Sequence, residues 1–325
     1  MKIATILAAI AGLLLGTAIV AYYGFGAVID ALSTIGWIGF GVLIVYKFFL
    51  YLLLGLSWWV IAPAPRQSPL SYIWGRIIRD SSSEILPFSQ IGGFIMGARA
   101  ATLLNGPSST MAFATTVVDV TVEVIAQLGY TMIGLVLLMK FRPDADLVYP
   151  VAMGIAIGLV VILGFILLQR RGAAGMEKFS KRLAASWLPG AAAKAKPLQE
   201  ALDAIYAQRS GLAGGLGLHF VAWIASAIEA WIALRFMGVE ISIAAVLTIE
   251  SLLYAIRSVA FAVPNAVGVQ EGAYVMLGGL FGLPPEMALA LSLLKRGRDL
   301  VIGIPALIAW QALEGGKLFR RRKPD

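Results

Sequence analysis

Arg257, Pro264, Asn265, Gly268 and Glu271 lie inside "SLLYAIRSVAFAVPNAVGVQEGAYVMLGGLFGL", a stretch otherwise apolar enough for a bilayer. Charges and helix-breaking Pro and Gly are costly in hydrocarbon unless the opened backbone lines a cavity or is buried in protein. Guanidinium binds phosphate through paired hydrogen bonds, so Arg257, with Arg298 further on, is suited to grip an anionic headgroup. A half-helix starting near Gly268 would add unpaired N–H groups and the positive end of a dipole. Glu250, Lys295, Arg296 and Asp299 complete this cluster.

A second broken apolar segment, "RDSSSEILPFSQIGGFIMGARA", stands in the first half and carries Arg79, Glu84 and Arg99. Two interrupted segments in corresponding halves are the strongest sequence pointer to a transporter's binding site. Asp119 and Glu123 follow at i and i+4, so their carboxylates share one helix face and repel. They need a cation, a proton or a buried arginine. Arg79, Arg99 and Arg298 are the candidates. Lys47 is expected to pair with a carboxylate such as Glu84, and Glu229 with Arg235. His219, the only histidine, falls near the start of an apolar run, where an interfacial position and no role are expected.

Composition limits what else the chain could be. It is 59% hydrophobic and 14% charged, against roughly 45–50% and about 25% in soluble domains. With 325 residues and no cysteine, disulfides and thiolate metal sites are excluded. The formal charge of +8 resides in loops beside apolar runs, without interleaved aromatics, so nucleic acid is not an expected partner. There is no phosphate-binding Gly-rich Lys-Ser/Thr loop, no His-Glu-x-x-His, and one histidine cannot build a zinc site. No catalytic residue, metal or cofactor is expected, and the chain is read as a non-enzyme.

The elements that must position these charges are membrane helices. Apolar spans run over residues 3–23, 35–61, 109–139, 147–168, 211–236 and 284–313, each long enough to cross. Trp37, Trp58, Trp59, Tyr130, Tyr149 and Trp310 fall near span ends, where interfacial aromatics gather. Stretches 68–104 and 241–283 are read as hairpins that enter and leave by one face. The fold class is therefore all-α and polytopic, one membrane domain over 1–325. Its first half is 1–168, a basic loop occupies 170–209, and the second half is 211–325. Span two, hairpin and span three match span five, hairpin and span six turned upside down. Arg79 precedes Pro87 by eight residues and Arg257 precedes Pro264 by seven. Two unrelated kinked helices remain the alternative to this inverted repeat.

"VPNAVGVQEGAYVMLGGLFGL" followed by "LLKRGRDLVIGIPALI" resembles the Pro-x-x-x-Gly-x-x-Glu segment and later basic span of the lysylphosphatidylglycerol synthase transmembrane region, a flippase-like family. "EILPFSQIGGFIMGARA" and "VVDVTVEVIAQLG" resemble its earlier segments, so the likeness covers nearly the whole chain. It implies the lipid-translocating half without the aminoacyl-transferase domain of the long form. The size is similar to the hopanoid-associated branch. The first hairpin departs from the family pattern, with Ser89-Gln90-Ile91-Gly92-Gly93 where Arg-x-Gly-Glu is expected.

The expected function is transport of an amphiphilic lipid between leaflets: a phospholipid, an aminoacyl-phospholipid or a hopanoid. Its headgroup would sit in a charged cavity between the hairpins. Membrane lipids are the expected partners, with a lipid-biosynthetic enzyme or a second copy of the chain beside them. A non-transporting scaffold for a lipid-modifying enzyme is the alternative, but a scaffold has no need of charges at both hairpins. The expected location is the bacterial cytoplasmic membrane. Basic residues dominate the 170–209 loop and the tail, which places both, and the amino terminus, on the cytoplasmic side. Because the chain has no cysteine, single cysteines report cleanly. Gly175→Cys and Gln208→Cys should be blocked only by reagents that cross the membrane. Labelling by an impermeant thiol reagent in intact cells would reverse this topology.

Overall fold

In hydrocarbon every backbone N–H and C=O must be satisfied within the protein, which leaves such a chain helices or a closed barrel. The computed structural model is helical, with no strand among the described residues. It describes residues 14, 18, 21, 22, 25–86, 90–143, 148–170, 195–260 and 263–321. Most of the first expected span, Pro87, residues 171–194 of the basic loop and the end of the tail lie outside them.

Eleven α-helices are described: α1 (Phe25–Thr34), α2 (Gly36–Ile61), α3 (Pro69–Ile85), α4 (Gln90–Ala101), α5 (Ser109–Phe141), α6 (Val148–Arg170), α7 (Ala195–Ala207), α8 (Arg209–Phe236), α9 (Ile243–Val259), α10 (Val269–Leu280) and α11 (Pro285–Arg321). A short 3₁₀ turn, Pro264–Ala266, separates α9 from α10. Four of them, α2, α5, α6 and α8, are long and apolar enough to cross a membrane. The expected sixth span lies within α11, whose Lys295, Arg296, Arg298 and Asp299 interrupt its apolar character. The expected outer loop after the first span is partly helical, as α1.

Local chemistry sets the ends. Ser108 accepts the N–H of Met111 to cap α5, and Ser242 accepts that of Ala245 to cap α9. After α8 and α10 the chain reverses through Gly238 and Gly282, both at φ +76°. The N–H of Val239 then returns to the carbonyl of Leu234, and that of Leu283 to Gly278, satisfying the last carbonyls of each helix.

Packing follows a regular scheme. α2 lies against α8 in the opposite direction, since Gly39 meets Phe236 at one end and Gly215 meets Ile61 at the other. α3 and α4 close on one another through glycines. A Cβ at Gly97 would stand 2.5 Å from the Arg79 Cβ, and one at Gly75 would stand 2.8 Å from the Ala101 Cβ. Small residues of this kind let helices approach where lipid provides no hydrophobic drive. Two crossings join the halves, α5 with α9 at Gly134 and Ser251, and α3 with α11 at Ser81 and Gly303. The larger core gathers Leu43, Leu234, Ile249, Leu253, Tyr274 and Leu291. Outward faces stay apolar: Val45, Phe48 and Phe49 on α2, and Met153, Val160, Val161 and Leu163 on α6.

The aromatic expectation holds only in part. Trp37 and Tyr149 are exposed near span ends, whereas Trp58, Tyr130 and Trp310 are buried. Trp58 donates to the Thr115 hydroxyl at 3.0 Å, so it serves as a packing residue with a satisfied N–H. The carboxyl end of the expected basic loop is α7, whose Leu202 and Ile205 pack on Val118 and Val122 of α5.

Bulk at the α3–α4 contact should separate the first hairpin. Gly97→Leu should cost about 1–3 kcal/mol through overpacking. It should lower the melting temperature in detergent, while Gly217→Ala, which meets open space, should change little. Equal melting temperatures for both would refute the close approach.

Candidate functional site

The ionisable side chains expected in the apolar core are there, and nearly all are paired. On α3, Arg76 and Arg79 are one turn apart and face α5. Arg79 donates to Asp119 at 2.7 Å and also to Glu123, bridging the two carboxylates. Arg76 holds Glu123 with both guanidinium nitrogens, at 2.7 and 3.2 Å, and reaches Asp80 at 3.0 Å. The i, i+4 acidic pair thus shares one face, as its spacing predicts. Of the three arginines expected to neutralise it, only Arg79 does so, joined by Arg76. Arg99 is exposed and donates to Glu314 at 2.9 Å. Arg298 lies on α11 and meets Glu229 and Asp299.

The second half has its own network. Glu250, at zero exposure, takes Lys295 at 2.7 Å and the Tyr274 hydroxyl at 2.5 Å. Asp299 accepts Arg298 at 2.8 Å and lies 3.7 Å from Lys47. Lys47 therefore pairs with Asp299, not with Glu84. Glu229 pairs with Arg298, while Arg235 reaches out to the exposed Glu240.

These networks occupy matching places. Arg76 is the eighth residue of α3 and Glu250 the eighth of α9. Asp119 is the eleventh of α5 and Lys295 the eleventh of α11. Arg76–Asp119 at 3.7 Å and Glu250–Lys295 at 2.7 Å thus join the same ordinal positions of their helices with opposite charges.

Between the networks the two hairpins touch. Arg257, near the end of α9, donates to Glu84 near the end of α3 at 3.0 Å and to the Asn265 side-chain oxygen at 3.2 Å. The Asn265 amide donates to the Glu84 carbonyl at 2.9 Å. Arg296 approaches from α11 and donates to the Asn265 carbonyl at 3.3 Å. Asn265 and Ala266 both sit in the left-handed region, at φ 50° and 47°. Such backbone persists where surrounding bonds hold it, and the Asn265 contacts supply them.

The expected free helix end at Gly268 is already occupied. α10 begins beside it, but Glu271 folds back and accepts the Gly268 N–H at 2.7 Å, and Arg296 and Ser292 hold the same carboxylate. An anion does not find an open N-terminus here. The helix before it ends at Val259, short of Pro264, so the break spans the whole turn and is not a single kink.

His219 corrects the sequence reading most. It is at zero exposure, with Nε2 2.9 Å from Asp119. Nothing in its sequence neighbourhood points there; only the packing of α8 on α5 brings it in. Two surface pockets, of about 410 and 270 Å³, lie at Ser108–Glu200 and at Arg142–Ser242. Neither is lined by the ion pairs, which close on each other in this conformation.

Breaking a buried pair strands the partner's charge. Replacing Asp119 by Asn and Glu123 by Gln should therefore cost about 3–5 kcal/mol, because Arg79 loses both of its counter-charges and Arg76 keeps only Asp80. Adding Arg76→Met and Arg79→Met should recover much of that melting temperature. A quadruple variant no more stable than the double would make packing, not charge, the cause.

No curated protein and no solved structure matches the chain. A family model does, over residues 6–306, and its description is the lysylphosphatidylglycerol synthase TM region. With broken hairpins, paired intramembrane charges and that match over most of its length, the chain belongs to the lysylphosphatidylglycerol synthase transmembrane family of multi-pass membrane proteins.

Proposed function

We propose that the protein is a non-enzymatic lipid transporter of the bacterial cytoplasmic membrane, moving an amphiphile between leaflets by rocking two inverted repeats about the junction of their hairpins. α3 and α9 both have 17 residues, and α4 and α10 both have 12. At 1.5 Å per residue these run to about 26 and 18 Å, short of a hydrocarbon core of about 30 Å. Hairpins of that reach fit entry and return by one face. The antiparallel α2 and α8, and the pair of Gly–Ser crossings, fit a twofold relation in the membrane plane.

The observation that carries the substrate reading is the Arg257–Glu84–Asn265 contact. It lies where the two hairpins meet, and its side chains keep 16% and 26% exposure for Arg257 and Glu84, whereas Asp119 and Glu250 have none. An anionic headgroup can therefore take Glu84's place on Arg257 without dismantling a sealed pair. Arg296, on the other side of Asn265, supplies a second guanidinium. A phospholipid or aminoacyl-phospholipid headgroup fits this pair of forks. A hopanoid fits only where it bears an acidic or hydrogen-bonding polar group. Release of the contact frees the hairpin tips to separate, which couples headgroup binding to movement of the repeats.

Reconstituted translocation and melting, measured on the same variants, test this role. Arg257→Lys should slow translocation, because a point charge replaces a bidentate fork. Arg257→Gln should slow it more, with small changes in melting for a pair that keeps partial exposure. If the pair is structural, melting falls first and the charge exchange Arg257→Glu with Glu84→Arg restores it. Full translocation by stable Arg257→Gln protein would remove Arg257 from the site.

A further inference from the structure

The first network contains a group that lipid binding does not use. His219 contacts Asp119 through Nε2, and a carboxylate oxygen only accepts, so Nε2 carries the hydrogen. Nδ1 is then the lone-pair nitrogen, and it is buried without a hydrogen-bond partner. Around it, α3 brings Arg76, Arg79 and Asp80, and α5 brings Asp119 and Glu123. α2 meets this part of α8 with the neutral Ser57, on the Gly215 carbonyl. α7 offers α5 the apolar Leu202 and Ile205. α9 and α11 meet α8 further along, through Tyr254 at Ser226 and Arg298 at Glu229. Two guanidiniums thus face three carboxylates, and one negative charge is left over in a low-dielectric core.

We infer that His219 is a proton-binding site: Nδ1 takes up a proton, the imidazolium cancels the surplus charge of the network, and its release is coupled to movement of the first hairpin. A metal ion is the competing occupant, because Asp119, Glu123 and His219 hold donor atoms within 4.8 Å of one another. Every one of those carboxylate oxygens already accepts a hydrogen bond, from His219, Arg76 or Arg79. A metal would have to displace a guanidinium, whereas a proton on Nδ1 displaces nothing. The cycle balances simply: neutral imidazole plus one proton gives imidazolium, and loss of that proton from Nδ1 returns it. Opening the α3–α5 contact would expose His219 to water and strip away the guanidiniums, so its protonation is tied to the position of the hairpin. The proton site stands on the geometry alone; its coupling to transport rests on the function proposed above.

Because the chain has a single histidine, labelling with ¹⁵N-histidine reports this site and no other. In nanodiscs scanned over about pH 5 to 8, the spectrum should show both protonation states of Nδ1, and Asp119→Asn should change their balance. In vesicles of phosphatidylglycerol and phosphatidylcholine with a trace of fluorescent short-chain phosphatidylglycerol, a one-unit pH gradient should raise translocation severalfold. One coupled proton can sustain at most about a tenfold difference in lipid between leaflets under that gradient. In His219→Gln protein the ratio of rates with and without the gradient should fall to about one. A histidine held in one protonation state across that range overturns the proton site. Titration with a wild-type rate indifferent to the gradient overturns the coupling. Titration with no translocation under any condition leaves the proton site standing and sinks the transport reading instead.

Discussion

Charge inside an apolar bundle must be matched where it stands, and the arrangement of this protein follows from that requirement. A charged side chain left alone in a low-dielectric core loses hydration that nothing replaces. Arg76 and Arg79 are therefore tied to α5, and α5 is tied to α8 through Asp119 and His219. In the other half, Lys295 ties α11 to α9 and Arg298 ties it to α8. Helices that lipid would not otherwise press together are thus joined by their polar contacts. Glycines at the crossings let them come close enough for those contacts to form.

The same constraint separates rigid from movable parts. Pairs with no exposure, such as Asp119 and Glu250, have no water to take over from a lost partner. The Arg257–Glu84 pair does, because both side chains reach a partly open junction. A membrane protein that must change shape can do so cheaply only where its charges can exchange partners. In the function proposed above, the junction between the hairpin tips is such a place, with the Asn265 turn, held in a left-handed conformation from two sides, as its hinge.

Much of this was legible in the residues, and the reason it was is specific. Pro264, Asn265 and Gly268 break an apolar run, and Asp119 with Glu123 repeats at a helical interval, so both features announce themselves locally. Partners do not. Arg99 stands nearer in sequence to Asp119 than Arg76 and Arg79 do, but it comes after the hairpin turns and points to Glu314. Lys47 finds Asp299 across 252 positions. His219 reads as an interfacial residue because its own segment is unremarkable, and only the depth to which α8 sits against α5 buries it. The free helix terminus expected at Gly268 failed for a local reason: Glu271, three residues on, is the right length and charge to fold back on it.

Exchange of charge between the halves gives the last step. Here α3 carries Arg76 where α9 carries Glu250, and α5 carries Asp119 where α11 carries Lys295. The first network keeps one surplus carboxylate, Lys47 of the first half reaches Asp299 of the second, and the tips meet as an acid from one and a base from the other. Opposite charge lets the junction close without a ligand. In the transport cycle proposed above, a headgroup anion would open it by replacing Glu84 on Arg257, and the divergence of the two hairpins, which weakens their likeness as sequences, would let them work as a pair.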